Sequence, residues 1–234
     1  MRTVSISQLW GRAWDLFKVN WLLLLGLLVI AIIVSLIPFI GALIAVILLS
    51  PALVRAGYLV ACQGQSSFGE AFGDLSLLLK IFVYDLTLQL IPGILIGMGV
   101  YRVLESDVNI LAAAPPETEK DYGAMIVSMV LGGTGGVLLL VGYILVFILS
   151  LFGWAGPYAI LSGQAGIFSA IGQSFSLTAQ NFGKVFVALL SYIGLVILGA
   201  IPCGVGLLVV FPMSYVFWPL LYFALTGEEG VPHS

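Results

Sequence analysis

Between Ala124 and Leu161 the chain runs for 38 residues without a charged side chain. An amphipathic element lying on a soluble protein keeps one polar face for water, and this stretch has none to offer. As a helix it would be about 57 Å long, nearly twice the roughly 30 Å hydrocarbon core of a bilayer, so it is expected to bend near Gly153 to Pro157. The rest of the chain agrees: 61% hydrophobic and 8% charged residues, with a mean hydropathy of +1.19, leave too little polar surface to cover a globule of 234 residues. A membrane barrel would need alternating strands of about ten residues, which the unbroken Leu, Ile and Val runs do not supply. The expected fold class is an all-α membrane protein with six transmembrane helices.

The segment from Gly166 to Gly227 reads as one structural unit. Phe168, Ile171, Phe175 and Phe182 fall at helical spacing, while Ser169, Gln173, Ser176 and Gln180 turn the other way. Asn181-Phe182 then leads past Lys184 into an apolar run, a turn at Ile201-Pro202-Cys203-Gly204, and a second run through Pro212 and Pro219. This pattern predicts an interfacial helix feeding a membrane hairpin.

The N-terminus repeats that order, starting with a helix over residues 4–19 suited to the headgroup plane, whose aromatic residues are expected to be its anchors. Ile6, Leu9, Trp10, Ala13, Trp14 and Phe17 face one way and Ser5, Gln8, Arg12 and Asp15 the other; a span from Trp21 to Ile37, a turn at Pro38-Phe39-Ile40-Gly41 and a span from Ala42 to Cys62 follow. A constant offset of 161 aligns Ile6 with Ile167, Gly11 with Gly172, Leu16 with Leu177, Asn20 with Asn181 and Pro51 with Pro212. The expectation is an internal duplication of an interfacial amphipathic helix plus transmembrane hairpin. A third copy starts at Ser67-Phe68-Gly69-Glu70, which reads as a capping box, with Phe68, Ala71, Phe72 and Leu75 as its apolar face and a third span from Ile81 to Val100. The chain is thus expected to be a single polytopic membrane domain over 1–234, with repeat-like units 4–62, 66–161 and 166–227. Residues 101–123 carry Glu105, Asp107, Glu117, Glu119 and Asp121 around Pro115-Pro116 and are expected to form a solvent loop.

Basic residues set the expected orientation. With a cytoplasmic N-terminus, Arg2, Arg12, Lys18, Arg55, Lys80 and Lys184 lie inside, and only Arg102 and Lys120 lie outside. Both chain ends and all three amphipathic helices then fall on the cytoplasmic side.

Few residues could carry chemistry. Asp85 is the carboxylate inside a span, where it costs a few kcal/mol without a partner. Arg55 and Asp85 sit at similar depth from the same side, so they are expected to pair, directly or through Gln89 one turn beyond Asp85. An architectural ion pair is the preferred reading; a proton or substrate site and a water-filled vestibule are the alternatives. Gly93 and Gly97 in the third span and Gly132 and Gly136 in the fourth form two small-xxx-small motifs at similar depth, read as helix packing, with a loosened cavity lining as the rival. The in-span prolines Pro51, Pro92, Pro157, Pro212 and Pro219 are read as structural kinks in preference to carbonyl ligands for a substrate. His233 is the one histidine, so no metal cluster or His-dependent triad can be built; no phosphate loop and no basic nucleic-acid patch is present. No catalytic, cofactor-binding or metal site is expected.

Taken together, the helices ending in Asn20-Trp21 and Asn181-Phe182, the Ile37-Pro38 and Ile201-Pro202 turns, and Pro51 with Pro212 resemble a group of bacterial six-span proteins. That group includes the membrane domain preceding the catalytic domain of some glycerophosphodiester phosphodiesterases. The resemblance implies a non-catalytic protein of a bacterial inner membrane; the phosphodiesterase activity is not expected, since the spans account for these residues. Three roles remain: binding or moving a lipid-like or small apolar ligand, serving as accessory or scaffold subunit of a larger membrane complex, or acting as a small secondary transporter through Asp85. The expected partners are membrane lipids and, in the second role, other membrane subunits, with no nucleic acid.

Overall fold

A computed structural model describes residues 5–38, 40–113, 133–202 and 204–227, with backbone alone over 106–113. All its regular elements are helices, and six stretches among the described residues are long and apolar enough to cross a membrane: Ile6–Ser35, Ile40–Gln63, Leu75–Glu105, Thr134–Leu161, Phe182–Ala200 and Leu207–Thr226. This is the architecture of a multi-pass membrane protein. Gly132, Cys203, Pro115 and His233 lie outside the described residues. The chain divides into two compact units, 1–84 with 152–234 and 85–151, so the boundaries fall inside helices and the repeat-like segment 66–161 is shared between them.

In the first unit, α1 (Ile6–Ser35) starts at a capping box in which Ser5 Oγ accepts from Gln8 N and Gln8 Oε1 accepts from Ser5 N. It kinks at Asn20, whose φ of -109° and ψ of 16° leave the helical region. The cause is the side chain. Asn20 Nδ2 donates to Leu16 O at 3.0 Å, four residues back, and to Gly64 O at 2.8 Å, while Oδ1 accepts from Ser66 N at 3.3 Å. A short amide that bonds the backbone this way competes with the helical ladder and bends it. The second strand of the hairpin comprises α2 (Ile40–Ile44), a π-helical turn (Ala45–Leu49) and α3 (Ser50–Gln63), which starts on Pro51 and ends on left-handed Gly64 at φ 80°. Only glycine adopts that conformation without strain.

The expected capping box at Ser67 is present: Ser67 Oγ accepts from Glu70 N and Glu70 Oε2 accepts from Ser67 N, opening α4 (Phe68–Phe72). Next comes α5 (Leu75–Ala113), followed in the described residues by α6 (Thr134–Gly153), α7 (Gly156–Leu161), α8 (Ile167–Gln180), α9 (Phe182–Ala200) and α10 (Leu207–Thr226). The last of these is the central post of the first unit. Of its membrane window 61% is buried, against 17% for α9, and it packs along both α1 and α3. Trp10 of α1 stacks on its Phe217 at 3.7 Å and donates to Ser191 Oγ at 2.8 Å, so this indole is an internal packing group and not the headgroup anchor expected from the apolar face. A Cβ on Gly57 of α3 would overlap the Tyr215 carbonyl, which is why α3 and α10 can touch there.

Five of the seven buried positions of α1 have buried counterparts 161 residues on. The buried positions Leu9, Ala13, Phe17, Leu24 and Leu27 of α1 correspond, at the same offset, to the buried Ala170, Ser174, Thr178, Val185 and Ala188 of α8 and α9. Between those two helices Asn181 has φ -121° and ψ 26°, close to Asn20, and its Nδ2 donates to Leu177 O at 3.1 Å as Asn20 does to Leu16 O.

The second unit contains α5 beyond Tyr84 and α6 up to Leu151. Here α5 continues to Ala113, so residues 101–113, expected to be loop, are helix. Polarity does not end a helix; Arg102 and Glu105 form an i,i+3 ion pair at 3.1 Å, and the first prolines after Pro92 stand at Pro115-Pro116. The two helices do approach closely, at Gly99, Gly135 and Gly142. A Cβ on Gly142 would meet Ile96 at 2.6 Å, one on Gly99 would meet Leu139 at 2.8 Å, and one on Gly135 would meet Val103 at 2.9 Å, whereas Gly93 and Gly97 are exposed with nothing within 4 Å among the described residues. Gly136 is buried. Gly99 and Gly135 also face each other, each backbone oxygen lying 3.0 Å from where the other's Cβ would stand, so here small residues on both helices let the backbones meet.

Candidate functional site

Arg55, Asp85 and Gln89 are distributed over the two units. In the first, Arg55 donates to Asp74 O at 3.3 Å. Asp74 itself caps α5: its Oδ1 accepts from Ser76 N at 2.9 Å, Ser76 Oγ at 2.8 Å and Leu77 N at 3.1 Å. The Ser76 hydroxyl and the Leu77 amide hold the Asp74 carboxyl below its ordinary range, and the Ser67 amide and hydroxyl do the same for Glu70, with the Arg55 charge adding to both. Arg55 is thus a cation near two capping carboxylates, held by a backbone oxygen. In the second unit Asp85 is half-buried on α5 and Gln89, one turn on, is exposed. The ion pairs of the described residues are Lys18–Asp15 at 2.9 Å and Arg102–Glu105 at 3.1 Å, both on exposed faces.

A second constellation, within the first unit, starts from the break between α6 and α7. Pro157 has no N–H to give to Gly153 O four residues back. Tyr84, which is fully buried, donates its hydroxyl to that carbonyl at 2.6 Å. At this proline, then, the freed carbonyl is taken up by the protein, as the structural reading required. Ser174 of α8 satisfies two more backbone groups, accepting from Ala155 N at 3.0 Å and donating to Phe152 O at 2.7 Å, while Thr178 Oγ1 accepts from Trp154 Nε1 at 3.0 Å. Buried polar groups must be paired, and these two hydroxyls pair the ones the break exposes.

Consequently α8 turns a small polar stripe, Ala170, Ser174 and Thr178, into the protein, and its Phe168 is 80% exposed. Beside that stripe lies an open cleft of about 360 Å³, lined by α8, by Ala155 and Ala159, and by Tyr222 and Thr226 at the end of α10. Gln164, Gln173, Gln180, Ser176, Tyr222 and Thr226 supply its polar groups, and no charged residue among the described ones lines it. The sequence pattern assigned Gln173, Ser176 and Gln180 to a water-facing side and contained no reason to close a cleft over them. One signal was available: three of the chain's seven glutamines fall between Gln164 and Gln180.

No protein-family model matches the chain, and no curated protein or solved structure is significantly similar to it.

Proposed function

We propose that the protein is a non-catalytic polytopic component of a bacterial inner membrane that binds or moves a lipid-like ligand. The observation that carries this reading is the cleft of about 360 Å³ beside α8, a helix that sends Phe168 outward while uncharged amides and hydroxyls gather at its other side. A phenyl group belongs in acyl chains and an amide at the headgroup level, so such a helix suits the membrane interface. The matching burial register and the two asparagine hinges support an internal duplication. With two spans between the hairpins, both copies would enter the membrane from one side, and the distribution of basic residues puts that side, with both chain ends, in the cytoplasm.

The test is native mass spectrometry on protein extracted from its own membrane in mild detergent. A lipid or small apolar molecule retained in stoichiometric amount is the expected result; a chain free of any adduct would oppose it. A second reading, an accessory subunit of a larger complex, is favoured by Asp85 half-exposed and Gln89 exposed within a span, an arrangement whose cost of a few kcal/mol a partner helix would offset. Stoichiometric foreign polypeptides in the same spectrum would establish it. The small-transporter role requires Asp85, and transport that survives Asp85→Leu would exclude it.

A further inference from the structure

The chemistry of the cleft narrows its ligand, on the premise that the cleft is the binding site. At about 360 Å³ it falls at the low end of small-molecule sites, which run from about 300 to 1,000 Å³, so it has room for a headgroup and not for a whole lipid. Its polar lining comes from Gln164, Gln173, Gln180, Ser176, Tyr222 and Thr226. Among the described residues, a phosphate or carboxylate placed there would find no lysine, arginine or histidine, and an ammonium would find no carboxylate. Charge moved out of water without a counter-charge is strongly disfavoured.

Carboxamides both donate and accept, and so do hydroxyls, which makes the two classes natural partners. Gln173 makes no hydrogen bond among the described residues, and Gln180 donates Nε2 to Ser176 Oγ at 2.9 Å with Oε1 left to accept. Two amides seven residues apart on one helix therefore present unused capacity toward the same cleft. Exposed Phe168 on that helix offers acyl chains an apolar surface.

We propose that the cleft binds the uncharged, hydroxyl-bearing headgroup of a membrane lipid, the glycerol of a diacylglycerol or the sugar of a neutral glycolipid. The full chain is reconstituted into phosphatidylcholine nanodiscs doped with monoglucosyl-diacylglycerol, diacylglycerol or phosphatidylglycerol, with free glucose and glycerol as soluble arms, and bound ligand is counted by native mass spectrometry. One of the two neutral lipids is expected to bind at least tenfold more tightly than phosphatidylglycerol or the free polyols. Gln173→Leu and Gln180→Leu, both at exposed positions, are expected to weaken that binding about fivefold each with unfolding temperature unchanged. Phosphatidylglycerol bound as tightly, or binding indifferent to both substitutions, would overturn the headgroup assignment while leaving a ligand-binding protein. Free glucose or glycerol bound as tightly as the lipids would overturn the lipid source. Binding in none of the arms, from a protein that also carries no adduct out of its own membrane, would remove the ligand-binding reading together with this one.

Discussion

The two similar segments of the first unit bury matching positions in their first turns and fill them with opposite chemistry. In α1 the inward residues of the first turns are Leu9, Ala13 and Phe17; in α8 the aligned residues are Ala170, Ser174 and Thr178. Hydrocarbon against α10 makes the first a packed post, whereas hydroxyls against the broken α6–α7 backbone make the second a polar surface with a cleft beside it. The hinges differ in the same sense. Asn20 is buried and makes three bonds, two of them to the turn after α3, and Asn181 makes the one bond to Leu177 O among the described residues. Two helices of like geometry can therefore differ in how firmly they are tied into the fold.

This contrast can be broken most sharply at the hinges. Asn20→Ala should cost about 3 kcal/mol or more, because Ser66 N and Gly64 O lose a buried partner, and Asn181→Ala should cost about 1 kcal/mol. Equal losses in chemical unfolding of the two variants in one detergent would end the comparison. Next in size is Ser174→Ala, expected to cost about 2 kcal/mol by orphaning Ala155 N and Phe152 O, while Ala13→Ser at the aligned position of α1 should also destabilise, since no backbone break awaits its hydroxyl. Tyr84→Phe follows at about 1 to 2 kcal/mol, read in the same unfolding experiment, because it strips Gly153 O of its donor and leaves the ring in place.

The smallest effect concerns the caps of α4 and α5. Glu70 and Asp74 have carboxyls held below their ordinary values of 4.5 and 3.8 in the folded protein, so each stabilises it above those values and loses that contribution as pH falls through the lowered value. Both groups are fully exposed, and the effect is modest. Glu70→Gln should lower the melting temperature slightly at neutral pH, where the carboxylate contributes, and flatten its pH dependence below pH 4.5, so that the two proteins converge in acid.

How much of this was legible before the structure follows the range of the rule involved. The Ser67-Glu70 capping box, the break at Gly153 to Pro157 and the helix joints at Asn20 and Asn181 rest on neighbours within four residues, and each is where the sequence put it. Rules that need a partner fared differently. Gly93-x-x-x-Gly97 satisfied a spacing, yet what decides a close approach is whether Ile96, Leu139 or Val103 needs room, and that depends on the facing helix. Trp10 read as a headgroup anchor because nothing local announces Phe217. The inward face of α8 was hidden for the same reason: hydroxyls at Ser174 and Thr178 resemble a water-facing stripe until the backbone break they pair with is brought against them. Residues 101–113 show the converse, a polar composition that still continues the helix.

The most direct test of the polar face of α8 as the proposed binding surface is photo-crosslinking in the protein's own membrane with a lipid carrying a diazirine beside its glycerol, followed by peptide mapping of the adduct. The account predicts label concentrated between Gln164 and Gln180 and at Tyr222, with little on the aligned face of α1. Label spread evenly over the exposed spans, or concentrated around Asp85 and Gln89, would contradict it.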